Sequence, residues 1–315
     1  MIPPLLKTFT APGEGRDGAG QTSDSGAKAS ALRCPLHTLS EVSISADLRE
    51  YAETPDRFAH VAPGASVERF ADERICIIQG ATWASVSGVS VGDDQVEALL
   101  AEVRSRVPAE KDAVWWIGPS ARPRRLYEQL QALGLREPRD RVSLVHALVL
   151  THAPTSPPAG VEVRRITTYE DFVAAREVQW DAFDTPEDRR AKNRARLRED
   201  FEESQRLGIP VDFLATLDGR AAGTALAVPS DRGVFLFGGS TAAWARGRGL
   251  YRALVHARWE YAVARGTPAL VTDAVPDTSY PILRRLGFEE VCTLRRLEDR
   301  LTDVSRSSTG CSARP

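Results

Sequence analysis

The 315-residue sequence is poor in cysteine: four residues, at 34, 76, 292 and 311, with no Cys-x-x-Cys pair. That excludes a disulfide-stapled miniprotein. The four Cys and five His show no metal-ligand spacing either, so no metal is expected. No stretch approaches 18 uninterrupted apolar residues, and no membrane span or membrane partner is expected. The opening MIPPLLKTFTAPGEG has one Lys and no sustained apolar core, which argues against a secretory signal. A reducing cytoplasm is the expected compartment. Excess positive charge is lacking too: the net charge is −2 and the pI about 6.3. A nucleic-acid partner is therefore not expected. Lysine is scarce as well, and nearly all the basic residues are Arg. Hydrophobic residues at 42% and charged residues at 27% fit a globular protein of one or two domains.

Residues 1–40 are rich in Gly, Ser, Ala, Thr and Pro and cannot bury enough apolar surface to offset chain entropy, so a disordered tail is expected. Residues 151–160, THAPTSPPAG, read as an interdomain linker. Residues 304–315 read as a second loose end. Between these breaks lie two segments of similar size, 41–150 and 161–303. They share an echo: Tyr127, Leu130, Leu133 and Gly134 in one, Tyr280, Leu283, Leu286 and Gly287 in the other, 153 residues apart. Each set follows an apolar run, Val114–Ile117 or Ala269–Val271. Two tandem copies of one α/β unit are expected.

The second segment reads as β-α-α-β-β-β-α-β-α-β. Val161–Ile166 alternates like a strand. Helices are expected over 169–183 and 185–206, with Thr185 and Pro186 opening the second. Strands 211–217 and 221–228 join through Asp218-Gly219, a hairpin signal. The apolar strand Val234–Phe237 leads into the loop 238–249. A helix over 249–265 follows, with Leu250, Leu254, Ala257, Tyr261 and Ala264 on one face. Gly266 closes it. Strand 269–273, helix 278–286 and a last strand from Phe288 complete the order.

The informative motif is Arg246-Gly247-Arg248-Gly249 between an apolar strand and an amphipathic helix. A helix N-terminus offers unpaired N–H groups and partial positive charge. Glycines there let an anion approach the backbone, which suits a pyrophosphate, and the two Arg add charge-assisted contacts. A dinucleotide fingerprint would need a small residue where Arg252 stands, and the Walker Gly-Lys-Ser/Thr is absent. The motif resembles the Arg/Gln-x-x-Gly-x-Gly/Ala loop of the GNAT N-acetyltransferase superfamily, with Tyr251 in place of the last small residue. Leu283-Arg-Arg-Leu-Gly-Phe-Glu289 resembles the family's LYEKLGFE ending, with Leu283 where the family has Tyr. Thr241-Ala-Ala-Trp-Ala-Arg246 resembles its Val-x-Pro-x-x-Arg.

The resemblance covers residues 161–300 and implies an α/β (α+β) fold. Two tandem GNAT-like domains are expected, each a mixed, mostly antiparallel sheet flanked by helices. It implies acetyl-CoA as co-substrate and transfer of the acetyl group to a small-molecule or peptide amine. Gly239, Ser240 and Thr241 would meet the pantetheine arm through the backbone. Arg246, Gly247, Arg248, Gly249, Leu250 and Tyr251 would form the pyrophosphate loop. With Leu283 at the usual place of the acid, Tyr280, one turn earlier on nearly the same face, is the candidate acid; packing is its other reading. Departure of the sulfur as a thiolate, held by the helix dipole, is a third course. Asp273, ending a strand beside the cleft, is the candidate base; a water chain is its alternative.

By the same resemblance, Trp180, Asp181 and Asp184 near the end of the first helix are candidates to line the acceptor site; a solvated helix end is the other reading. His256 and Trp259 read as packing or surface residues. Gly238-Gly-Ser240-Thr-Ala242 approaches the hydrolase elbow Gly-x-Ser-x-Gly, but the helix starts too late for it. The Arg-rich stretch 189–198 runs straight into Glu199, Asp200, Glu202 and Glu203, so a salt-bridged exposed helix is expected. Cys76 and Cys292 read as core thiols. In the first segment, Asp93 and Asp94 stand where the loop would be, before a helix over 94–105, with Glu97 completing a capping box. Two carboxylates there would repel a pyrophosphate, so this copy is expected to be degenerate. A non-catalytic acyl-CoA-binding protein is the competing reading.

Overall fold

The computed structural model describes residues 44–138 and 142–300. The expected tails at 1–40 and 304–315, with Cys34 and Cys311, lie outside them. The N-terminal unit holds helices α1 (Ala46–Glu53) and α2 (Pro55–Phe58) and strands β1 (Glu68–Ala71), β2 (Cys76–Gln79) and β3 (Trp83–Ser87). It continues with α3 (Val96–Arg106), β4 (Asp112–Ile117), α4 (Leu126–Ala132) and β5 (Leu144–Leu150). The C-terminal unit starts with β6 (Val161–Arg165), α5 (Tyr169–Ala182), α6 (Glu187–Arg194) and α7 (Leu197–Leu207). Strands β7 (Val211–Leu217), β8 (Arg220–Ser230) and β9 (Gly233–Thr241) follow. Helix α8 (Leu250–Ala264), β10 (Leu270–Ala274), α9 (Ser279–Arg285) and β11 (Glu289–Asp299) end the chain. The helix expected over 185–206 is thus two helices, broken at Ala195–Arg196. Among the described residues no helix is long and apolar enough to cross a membrane.

The element order β3-α3-β4-α4-β5 repeats as β9-α8-β10-α9-β11, each time after an antiparallel meander. β3 and β4 pair in parallel, and so do β9 and β10. The two units form one 11-stranded sheet in the order β1-β2-β3-β4-β11-β5-β10-β9-β8-β7-β6. The last strands are exchanged. β11 pairs antiparallel with β4, and β5 with β10, while β5 and β11 pair with each other at the centre. Counted outward from the boundary between β5 and β11 the two sides match strand for strand, a pseudo-twofold that leaves only the edge strand β6 without a counterpart. Neither half closes its own sheet, which sequence periodicity could not reveal.

Alternating side chains divide the sheet into two faces. On one face α8 and α9 cover Phe213, Leu236 and Leu270 through Leu250, Leu254 and Leu283, while α3 and α4 cover Val86 and Trp115. On the other face α1 covers Val145, Val149 and Val271, and α5 covers Leu214. Asp218 and Gly219 have positive φ, 53° and 77°, the geometry that matches hairpin twist. A half-buried ion pair ties the exchanged strand down: Arg104 of α3 donates from Nε and Nη2 to the buried Asp299 of β11, both at 2.9 Å.

Candidate functional site

The loop before α8 is built by its glycines. Gly247 and Gly249 hold φ of 76° and 81°, a region that costs other residues a steric penalty. Gly249 is the N-cap of α8, so no side chain caps the helix, and its first turn carries no acidic residue. Arg246 and Arg248 are exposed beside it. An anion would therefore meet free amides, the positive end of a 15-residue helix and two guanidiniums. The matching place in the N-terminal unit is occupied. Asp93 and Asp94 stand in a short 3-10 turn before α3, and Gln95 Oε1 accepts the Gly92 N–H at 2.9 Å. Gln95 thus makes the return bond of a capping box to the Gly92 backbone, in place of the expected pairing of Asp94 with Glu97.

Residues 151–160 form neither helix nor strand, and they do more than tether the units. Pro158 lies against the loop: a Cβ on Gly249 would stand 2.7 Å from Pro158 Cγ.

Beyond the loop, β9 bulges. Thr224 pairs with Ser240 and Leu226 with Phe237, so Gly238 and Gly239 fall out of register with β8. Gly238 has φ 61°. β9 and β10 pair only as far as Leu236 and Thr272 and then part. A cavity of about 240 Å³ opens at this parting. Its walls include Phe235, Phe237 and Gly239 of β9, Tyr251 and Arg258 of α8, and Asp273 of β10. The N-terminal unit closes it with Tyr51, Asp56, Ser85 and Trp116. The Tyr251 ring packs on Gly239, its Cε2 2.8 Å from where a Cβ on that residue would be. Only a glycine at 239 admits the ring.

Asp273 Oδ1 is sealed from solvent and has no hydrogen-bond partner. Burial pushes the Asp273 carboxyl up to about 7, the Asp56 carboxylate adds to the rise, and Arg296 opposes it. Asp56 is itself raised by burial, against a 2.6 Å hydrogen bond from Ser85 Oγ. Asp273 is therefore poised to take up and release a proton near neutral pH.

The expected site residues do not all converge. Asp273, Gly239 and Tyr251 line the cavity; Tyr280 does not. The Tyr280 hydroxyl donates to Glu290 Oε2 at 2.7 Å, and its ring stacks on His146 of β5 with centroids 4.2 Å apart. Tyr127 repeats this, donating to Glu137 while Arg295 of β11 covers its ring at 3.2 Å. Leu283, where the resemblance would put an acid, is 1% exposed in the core. Ser240 lies inside β9, opposite Thr224, on no strand–helix elbow.

Trp180, on α5, packs into the core with Leu197 and Leu214, and the exposed Asp181 accepts from Arg190 Nη1 at 2.6 Å. Asp184 is an exposed turn residue with φ 46°. Of that segment Phe183 reaches the cavity instead. Trp259 is core and His256 lies 3.6 Å from Glu260. The Arg-rich stretch is salt-bridged, Arg194 to both Glu177 and Glu187. Cys76 is buried and Cys292 half-buried; burial pushes their thiols up to about 11 and about 12. Sequence reasoning missed Arg258 and the N-terminal wall of the cavity. Arg258 sits seven residues after Tyr251 on the same helix face, which was legible. The wall depends on strand exchange, which was not.

No family model matches the chain, and no curated protein matches it. Among solved structures it is similar to a GCN5-related N-acetyltransferase from Kribbella flavida, at 20% identity over 74% of this chain and 90% of that one, with a TM-score of 0.56. It is similar as well to a tandem GNAT protein from the clavulanic acid biosynthesis pathway, at 17% identity over 81% and 94%, with a TM-score of 0.52. A functionally unknown conserved protein from Staphylococcus epidermidis matches at 12% identity over 73% and 92%, with a TM-score of 0.53. The fold is that of the GCN5-related N-acetyltransferases in tandem.

Proposed function

From a chain with the fold of the GCN5-related N-acetyltransferases, we propose an acyl-CoA-dependent N-acyltransferase that passes an acetyl group to a primary amine. One juxtaposition carries the reading. An uncapped, acid-free helix N-terminus behind Gly247-Arg248-Gly249 lies on the same helix as Tyr251, which reaches a cavity holding the unpartnered carboxyl of Asp273. The co-substrate pyrophosphate would rest on the first turn of α8, from Gly249 through Leu250, with Arg246 and Arg248 beside it. The pantetheine arm would follow the backbone of Gly239, Ser240 and Thr241. Acetyl-CoA would supply the activated thioester when bound.

The chain's own residues then have two proton tasks. Asp273 takes a proton from the acceptor ammonium, leaving the amine lone pair free to attack the acyl carbon. Tyr251 gives its hydroxyl proton to the departing sulfur and regains one from the nitrogen of the tetrahedral adduct, which sheds its second proton as the amide forms. Tyr280, the expected acid, holds Glu290 and lies outside the cavity lining; Tyr251 is the phenol proposed in its place. The C-terminal unit carries this chemistry. The N-terminal unit, its helix start filled by Asp93 and Asp94, would take no coenzyme and would wall the acceptor. A cytoplasmic setting accords with the free thiols Cys76 and Cys292.

Binding without turnover is the second reading, favoured by Leu283 at the usual acid place and by the Tyr251 ring against Gly239. The test is calorimetric titration of acetyl-CoA followed by thiol release with an amine panel. Micromolar binding with amine-dependent thiol release supports the transferase. Binding with no release by any amine supports the second reading. No binding sinks both.

A further inference from the structure

Arg258 is 1% exposed, yet no carboxylate pairs with it among the described residues. Its Nε donates to Leu254 O at 3.0 Å and its Nη1 to Leu226 O at 3.3 Å. Its Nη2 is sealed from solvent without a hydrogen-bond partner. The polar side chain beside it is the neutral phenol of Tyr251, whose hydrogen bond only partly opposes the burial that pulls the guanidinium down to about 10. Withdrawing a cation from water is costly, and carbonyl dipoles recover only part of that cost. A buried charge left uncompensated by its own chain marks a place where a ligand supplies the counter-charge. Arg258 lines the cavity at the parting of β9 and β10, under the Gly238–Gly239 bulge whose neighbour Leu226 it contacts. Arg296, the other fully buried arginine of this cavity, already faces Asp273.

We infer that the cavity takes a small molecule bearing a carboxylate, which Arg258 binds at the α8 end while Asp273 serves the other. An ammonium at Asp273 and a carboxylate at Arg258 describe an amino acid-like acceptor. A carboxylate at Arg258 alone describes a dicarboxylic acyl chain on the donor. Both share the same recognition chemistry. The inference rests on the acyltransferase reading for its setting, but the charge argument stands on the cavity itself. The aromatic walls, Phe235, Phe237 and Trp116, suit an apolar body between the two ends.

The test uses the full chain and matched probes that differ by the carboxylate. For the acceptor arm these are L-phenylalanine against 2-phenylethylamine, and L-tryptophan against tryptamine, titrated with and without acetyl-CoA. For the donor arm they are succinyl-CoA against acetyl-CoA. The carboxylate member of at least one arm should bind about tenfold tighter, as one charge-assisted bidentate contact allows. That advantage should vanish in Arg258→Met, whose ligand-free melting temperature should hold or rise because a buried unpaired charge is gone. Where the Met variant does not fold, Arg258→Lys keeps the charge but loses the fork, and the advantage should fall at least severalfold. Equal binding of the matched probes in both arms, or an advantage that survives both variants, overturns the inference. Failure of acetyl-CoA itself to bind sinks the acyltransferase reading instead, and discrimination by free phenylalanine would still stand.

Discussion

Tyr280 is the structural counterpart of Tyr127: each donates its hydroxyl to a glutamate ten residues on, Glu290 or Glu137, in copies 153 residues apart. Each ring is also covered by a residue of the other unit's last strand, His146 or Arg295. A side chain that makes the same contacts in both copies serves packing. Tyr280→Phe should therefore remove one solvent-exposed hydrogen bond, lower the melting temperature little, and leave kcat within a few-fold. Tyr251→Phe should lower kcat by about 10²-fold, the low end for a positioned proton donor, with the KM for acetyl-CoA nearly unchanged. Steady-state thiol release with both variants decides; the reverse ranking would restore Tyr280 as the acid.

Asp273 gives a pH prediction with a definite sign. Its folded carboxyl binds a proton more tightly than an unfolded one, because of burial and the facing Asp56, with Arg296 in opposition. The base form appears as pH rises through about 7, so kcat should climb from pH 6 to 8 and level off. Asp273→Asn should abolish that climb along with most of the turnover. The same shift works against stability. Protonation favours the fold at low pH, and that gain is lost as pH rises between the unfolded and folded values. Asp273→Asn should thus match wild type near pH 4 and melt higher at pH 8, read by calorimetry at the two pH values.

The coenzyme loop is tested by charge removal rather than by reshaping it. Arg246 and Arg248 are exposed and make no ion pair among the described residues. Arg246→Ser and Arg248→Ser should each weaken acetyl-CoA binding by about tenfold and flatten its salt dependence, with the ligand-free melting temperature unmoved. Gly249→Asp should abolish binding too. It would also strain a φ of 81° and push on Pro158, so a drop in melting temperature should accompany it.

Local signals were legible in the sequence and non-local ones were not. Arg246-Gly-Arg-Gly249 between an apolar run and a helical period marked the loop because turn chemistry and amphipathicity are written within a dozen residues. Asp218-Gly219 marked its hairpin for the same reason. Asp273 was legible only as a strand end; its sealed carboxyl depends on Asp56, which lies far away in the chain. The exchange of β5 and β11 left no trace, because a buried strand reads alike whichever neighbour it pairs with. Tyr280 misled because spacing along a helix gives a face but not what that face meets. The helix break at Ala195–Arg196 was hidden by charged residues that satisfy a helix on either side of it.

Strand exchange makes the two units one folding entity. Residues 161–300 alone would lack β5, leaving β10 and β11 with bare edges facing each other across an empty strand position. That piece should be insoluble, or unfolded by circular dichroism, whereas residues 44–300 should unfold in a single cooperative urea transition. Arg104 offers a milder probe, since it holds Asp299 of the exchanged strand with two 2.9 Å bonds while Asp299 is only 3% exposed. Arg104→Ala leaves that carboxylate buried and unpaired. It should cost about 3 kcal/mol in urea denaturation, while Asp299→Asn in the same background should recover part of the loss by removing the stranded charge. Two separate transitions in the intact chain, or a well-folded 161–300 fragment, would show that the shared sheet is not what couples the halves.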